Sequence, residues 1–87
     1  MDIDREIKHR SRRGLLELDL FLSDFIDEES SLMHMNEKKI LLKFLTIDDM
    51  AMLDIMQKKV DPSFVFKDVV TKIENFNAKT LQKSKER

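Results

Sequence analysis

The sequence predicts an all-α fold, a small single-domain five-helix bundle, and three observations carry that prediction. The 87 residues contain one glycine and one proline, almost none of the turn punctuation that a many-stranded fold needs. Apolar residues recur at helical spacing in one segment after another, with 41% hydrophobic residues to fill a core and 38% charged residues to cover it. The length holds one modest core, so a separate catalytic or dinucleotide-binding domain has no room.

The elements follow in chain order. Asp2 or Asp4 caps a first short helix whose inward positions, Ile3 and Ile7, lie one turn apart. Its Lys/Arg-rich last turn suits the negative end of the helix dipole, and Gly14, the only glycine, follows as a C-terminal cap residue would. From Leu15 to about Glu28 two periods compete. Leu16, Leu18, Leu20 and Leu22 alternate like a strand, while Leu15, Leu18, Leu22, Phe25 and Ile26 fit a helix. The helix is preferred: the run exceeds strand length, has no β-branched residue before Ile26, and would lack a partner strand.

Ser30 to Asn36 reads as a connector. Helix three follows with Ile40, Leu41, Phe44 and Leu45 on its buried face. Thr46 or Asp48 caps helix four; if Asp48 does so, Ile47 and Met52 stand as a hydrophobic staple. Met52, Leu53, Ile55 and Met56 supply its apolar side. Asp61-Pro62 is a cap followed by a first-turn proline, which predicts the start of helix five. Its stripe runs Phe66, Val69, Val70, Ile73 and Phe76. Residues 1–78 form the expected domain, and residues 79–87 form a polar, basic tail expected to fray.

Inventory excludes most chemistry. With no Cys, the chain has no disulfide, thiolate nucleophile or thiolate zinc site. His9 and His34 lie in polar stretches without a second ligand at metal spacing, and read as surface residues. One glycine cannot build a phosphate-cradling loop or a dinucleotide fingerprint, so no bound cofactor is expected. Carboxylate pairs such as Asp48-Asp49 and Glu28-Glu29 read as helix ends rather than acid–base machinery. The six methionines read as filler in a small core, or else as the lining of an adaptable groove. The expectation is a protein that is not an enzyme. No apolar run approaches the roughly 20 residues of a membrane span, and the start of the chain lacks the apolar stretch of a secretory signal. A cytoplasmic protein without membrane insertion is expected, and nothing in the sequence signals an oligomeric state.

The net charge of −1 hides a segregation. Residues 1–13 carry five Lys/Arg against three acids, residues 14–29 carry six acids and no base, and residues 79–87 carry four bases and one acid. A basic end followed by an acidic helix suits oriented docking to a protein partner, or a solvated surface. Nucleic acid is disfavoured, because the acidic block repels phosphate and no aromatic is interleaved with the bases for stacking.

The junction Arg12-Arg13-Gly14-Leu15-Leu16-Glu17-Leu18-Asp19 is the most informative stretch. In one account Gly14 closes helix one and Glu17, in the first turn of helix two, reaches back to orphan backbone N–H groups. In the other these residues form a docking motif. Arg13-Gly14-x-x-Glu17, extended to Leu18-Asp19, resembles the signature of the SdhE-type FAD assembly factors, the succinate dehydrogenase flavinylation factors. Their mitochondrial relatives are called succinate dehydrogenase assembly factor two. Phe25, Glu37, the Phe44-Leu45 pair, Asp48-Asp49 and Pro62 fit the same frame, so the similarity runs from about Asp4 to Phe76.

The chain departs from the family pattern at Asp49-Met50, often Asp-Pro in the family, and at Ile55, often Trp. It also departs at Val60, often Gly, near Ser30, often aromatic, and at Thr46, often acidic. The resemblance implies a five-helix domain that binds the flavoprotein subunit of succinate dehydrogenase or fumarate reductase. Such a protein promotes covalent FAD attachment to a histidine of that subunit, by positioning rather than by supplying reacting groups. It marks Arg13, Gly14, Glu17 and Asp19 as partner-binding residues. Glycine permits close backbone approach, Arg13 offers a bidentate fork, and Glu17 accepts from partner N–H groups. The same family includes members named as antitoxins, so an antitoxin-type regulator stands as an alternative beside a generic helical adaptor.

Overall fold

In the computed structural model the backbone is described for residues 2–85 and the side chains for residues 2–79. Among these residues there are five α-helices and two 3-10 turns and no strand. Helix α1 spans Ile3–Ser11, α2 Leu16–Glu29, α3 Met35–Phe44, α4 Asp49–Met56 and α5 Lys67–Lys85. The 3-10 turns are Ser30–Leu32, which extends α2, and Phe64–Phe66, which leads into α5. Helix α2 lies against α1, α4 and α5, and α3 closes the bundle by packing on α1 and α5. No helix among the described residues is long and apolar enough to cross a membrane.

The helical period decides the fate of every leucine in α2. Leu18 and Leu22 are fully buried, whereas Leu16 is 68% and Leu20 72% exposed, so the alternating strand reading, which puts all four on one face, fails. Leu18, Leu22, Phe25 and Ile26 form the centre of a core completed by Ile7, Leu41, Phe44, Leu45, Met52, Val69, Val70 and Ile73, among others. Two aromatic contacts fasten the outer helices. Phe76 of α5 meets Phe25 edge-on with ring centroids 5.8 Å apart, and Phe66 meets Phe44 at 5.4 Å.

Caps resolve the alternatives that the sequence leaves open. Asp2 caps α1 by accepting from the Asp4 N–H at 3.0 Å, and Asp48 caps α4 by accepting from the Met50 N–H at 3.1 Å. Thr46 serves the preceding helix instead, its hydroxyl donating to the Lys43 carbonyl at 2.6 Å. Helix α3 begins earlier than expected, with His34 as its cap and the Glu37 carboxylate accepting from the His34 N–H at 3.3 Å. That is one half of a capping box, hidden in the sequence because histidine is not a usual cap residue.

Three boundaries differ from expectation. Gly14 does not close α1: the helix ends at Ser11 with Arg12 extended behind it, and Gly14, at φ +76°, turns the chain between α1 and α2. The cap-then-proline pair Asp61-Pro62 does not start α5, because Pro62 lies outside any helix, Ser63 is extended and the 3-10 turn at Phe64 intervenes. That turn brings Phe66 onto Phe44, so tertiary contact overrides the local start signal. Helix α5 also continues past Ala78 through Lys85 where fraying was expected. Once a helix is nucleated against a core, each further Lys or Gln adds a backbone hydrogen bond at little propensity cost. Glu86 and Arg87 of the expected tail lie outside the described residues.

Candidate functional site

The short connector between α1 and α2, residues 12–15, carries the candidate site. Its conformation is set by Gly14, whose positive φ lets the chain reverse between two helices that both pack on the core. A Cβ built on Gly14 would meet no atom within 4 Å, so the residue is exposed and its outward face open. Leu15 follows as the extended cap residue of α2 and gives that helix no side-chain cap.

Glu17 stands at the second position of α2, exposed and without a hydrogen-bond or ion-pair partner among the described residues. It therefore does not reach back to the orphan N–H groups as the capping account requires. Its carboxylate still lies at the positive end of the helix dipole, where it is favoured. Leu16 and Leu20, both largely exposed, sit one above the other on the helix with Glu17 beside them, Leu20 three residues after it. An acid beside two exposed leucines is a combination that the periodicity contained: on a helical wheel both leucines fall off the buried stripe. Asp19 is half-buried and borders a depression of about 340 Å³ whose rim also includes Lys8, Arg12, Gly14 and Asp27. Gly14 and Asp19 thus border the same depression, while Glu17, two residues before Asp19 on the helix, faces away from it.

Arg13 is oriented differently. Its side chain is 13% exposed, and its guanidinium is spent inside the molecule. The Nε–H donates to Asp49 Oδ1, Nη1 donates to the Leu45 carbonyl and Nη2 to the Ile47 carbonyl. The sequence reading missed Asp49, taking it only as the acid of a helix start. No local pattern links residues this far apart in the chain. Elsewhere, Lys38 lies 2.8 Å from Asp4 and joins α3 to the start of α1, while Lys72 of α5 donates to Glu37 of α3. Among the described residues no group of three or more His, Asp or Glu side chains is arranged to hold a metal ion. His9 and His34 are both exposed.

A family model described as the flavinator of succinate dehydrogenase matches residues 5–77. Two curated relatives align over most of the chain. The FAD assembly factor SdhE of Francisella tularensis is 34% identical over 68 residues, covering 78% of this chain and 72% of the relative. The FAD assembly factor SdhE of Coxiella burnetii is 33% identical over 75 residues, covering 85% of this chain and 92% of the relative. No solved structure matches the chain.

Proposed function

The chain belongs to the flavinator of succinate dehydrogenase family, and from that premise we propose that it is an FAD assembly factor that binds the flavoprotein subunit of succinate dehydrogenase or fumarate reductase and promotes covalent FAD attachment. Its role is non-catalytic: the flavoprotein and the flavin supply the reacting atoms, and this chain holds the flavoprotein in a geometry that favours their reaction. The observation that carries the reading is Glu17, an exposed carboxylate with no partner among the described residues, beside the exposed Leu16 and Leu20 and one turn of chain beyond the open backbone of Gly14. Apolar contacts from the leucines supply burial, and the carboxylate supplies a charge-assisted acceptor for partner N–H groups. A side chain at position 14 would stand between the partner and this edge. Asp19 adds a second acid on the other side of α2, at the depression it shares with Gly14.

The experiment is reconstitution. Apo-flavoprotein subunit and FAD are incubated with and without this protein, and covalently bound flavin is read by its fluorescence in a denaturing gel. Acceleration by the protein, together with its co-purification with the flavoprotein, is expected. Equal rates in both arms would remove the assembly role. Co-purification without acceleration would reduce it to an adaptor.

A further inference from the structure

Arg13 sits one residue before Gly14, yet its side chain points away from the edge that Gly14 and Glu17 share. Each of its three acceptors lies in or beside the elbow between α3 and α4. Leu45 is the cap residue just past the end of α3, Ile47 precedes the Asp48 cap, and Asp49 opens α4. The Leu45 carbonyl lies at a helix C-terminus, where backbone acceptors lack intrahelical donors, and a cationic fork suits that position. Asp49 sits in the first turn of α4, where the dipole favours its charge, and is 45% exposed. One side chain therefore joins the α1–α2 connector to the α3–α4 elbow.

We propose that Arg13 is a positioning residue: with Asp49 it pins the Gly14 turn to the α3–α4 elbow and so fixes the direction in which Glu17 is presented, without itself touching the partner. The proposal rests on the reading of Gly14 and Glu17 as the docking edge. A partner carboxylate that captured the Arg13 fork would strip two backbone carbonyls and Asp49 of their donor, and leaving such groups unpaired is costly. Lysine cannot replace the fork. Its ammonium is a single point of charge and does not span a carboxylate and two carbonyls in different directions.

The test uses Asp49→Asn, Arg13→Lys, Arg13→Gln and the Arg13→Gln/Asp49→Asn double variant, each carried through two measurements. The first is the rate of flavin attachment against the concentration of this protein. Asp49→Asn and Arg13→Lys should each raise the half-maximal concentration about tenfold while the saturating rate is retained, and the double variant should be no worse than Arg13→Gln alone. The second is amide hydrogen exchange in the isolated protein. Exchange at the hydrogen-bonded amides beside the clamp, Arg12, Thr46 and Ile47, should accelerate in every variant, including the mild Asp49→Asn, while core amides of α2 keep their protection.

Parental concentration dependence in Asp49→Asn or in Arg13→Lys would overturn the proposal, the latter because it would make Arg13 a charge offered to the partner. Unchanged exchange at the turn would overturn it as well. If the parental protein does not accelerate attachment at all, the assembly reading fails, while the exchange measurement still decides whether the clamp exists.

Discussion

Glu17 has no hydrogen-bond or ion-pair partner among the described residues, and that makes it separable from folding. Glu17→Ala removes a first-turn acid, a loss of about 0.3–1 kcal/mol at an exposed helix start. Gly14→Arg forces a side-chain-bearing residue to φ +76° with no steric clash around its Cβ, so its cost is backbone strain of about 1–2 kcal/mol. Both variants are expected to melt as folded domains and to slow flavin attachment severely. Thermal melts run beside the attachment assay check this, and a folded Glu17→Ala working at the parental rate would make the residue a mere helix-start acid.

Glu37 poses a different question at the same scale. Its carboxyl is held below the usual carboxylate range, first by the Lys72 ammonium that donates to it and then by the His34 N–H. The folded protein thus binds this proton more weakly than the unfolded chain does. The stabilisation is complete above the ordinary carboxylate range and is lost as pH falls through the depressed folded value. Both partners are partly exposed, so salt screens the effect. Glu37→Gln should be less stable than the parent near neutrality and should converge with it in acid. Urea titrations at the two pH values check the sign.

At the scale of elements, the end of α4 is the least expected feature. The Lys58 N–H donates to the Ile55 carbonyl at 3.1 Å and the Lys59 N–H to the Asp54 carbonyl at 2.8 Å, the paired bonds of a Schellman cap. The residue that turns the corner is Lys58, at φ 62°, where glycine is the usual occupant. Lys58→Gly is therefore expected to stabilise the protein by about 0.5–1 kcal/mol, read as a raised urea midpoint with an unchanged slope. The opposite helix end, at α5, teaches a related lesson. Asp61-Pro62 carries a strong start signal, yet α5 begins at Lys67 because Phe66 must first be delivered to Phe44. Local signals set what a segment is able to form; the aromatic contact sets where it begins.

At the scale of the whole molecule, the buried stripe of α5 is followed to Ile73 and Phe76 among the described residues. Val69, Val70 and Ile73 are buried, Phe76 is half-buried against Phe25, and the family match stops at residue 77. Removal of residues 79–87 is accordingly expected to shift Tm by less than about 4 °C, the equivalent of under ~1 kcal/mol for a domain of this size. Cooperative melting of the truncated protein by circular dichroism checks it. A large loss of Tm would place part of the stabilising surface in those residues.

The helices and their buried faces were legible in the sequence alone because they rest on short-range physics. A 3.6-residue period, with Leu18, Leu22, Phe25 and Ile26 in one stripe, selects helix over strand and names the core in the same stroke. The caps were legible for the same reason only as pairs of candidates, Asp2 or Asp4 and Thr46 or Asp48, and the structure chose Asp2 and Asp48. The motif at Arg13, Gly14, Glu17 and Asp19 was also visible as a string of residues. Its division was not. Only tertiary structure turned Arg13 inward to Asp49, Leu45 and Ile47, and left Glu17 outside with two exposed leucines. Adjacent residues in a sequence carry no mark of which will find acceptors more than thirty positions away, because that depends on how α1, α2, α3 and α4 pack together.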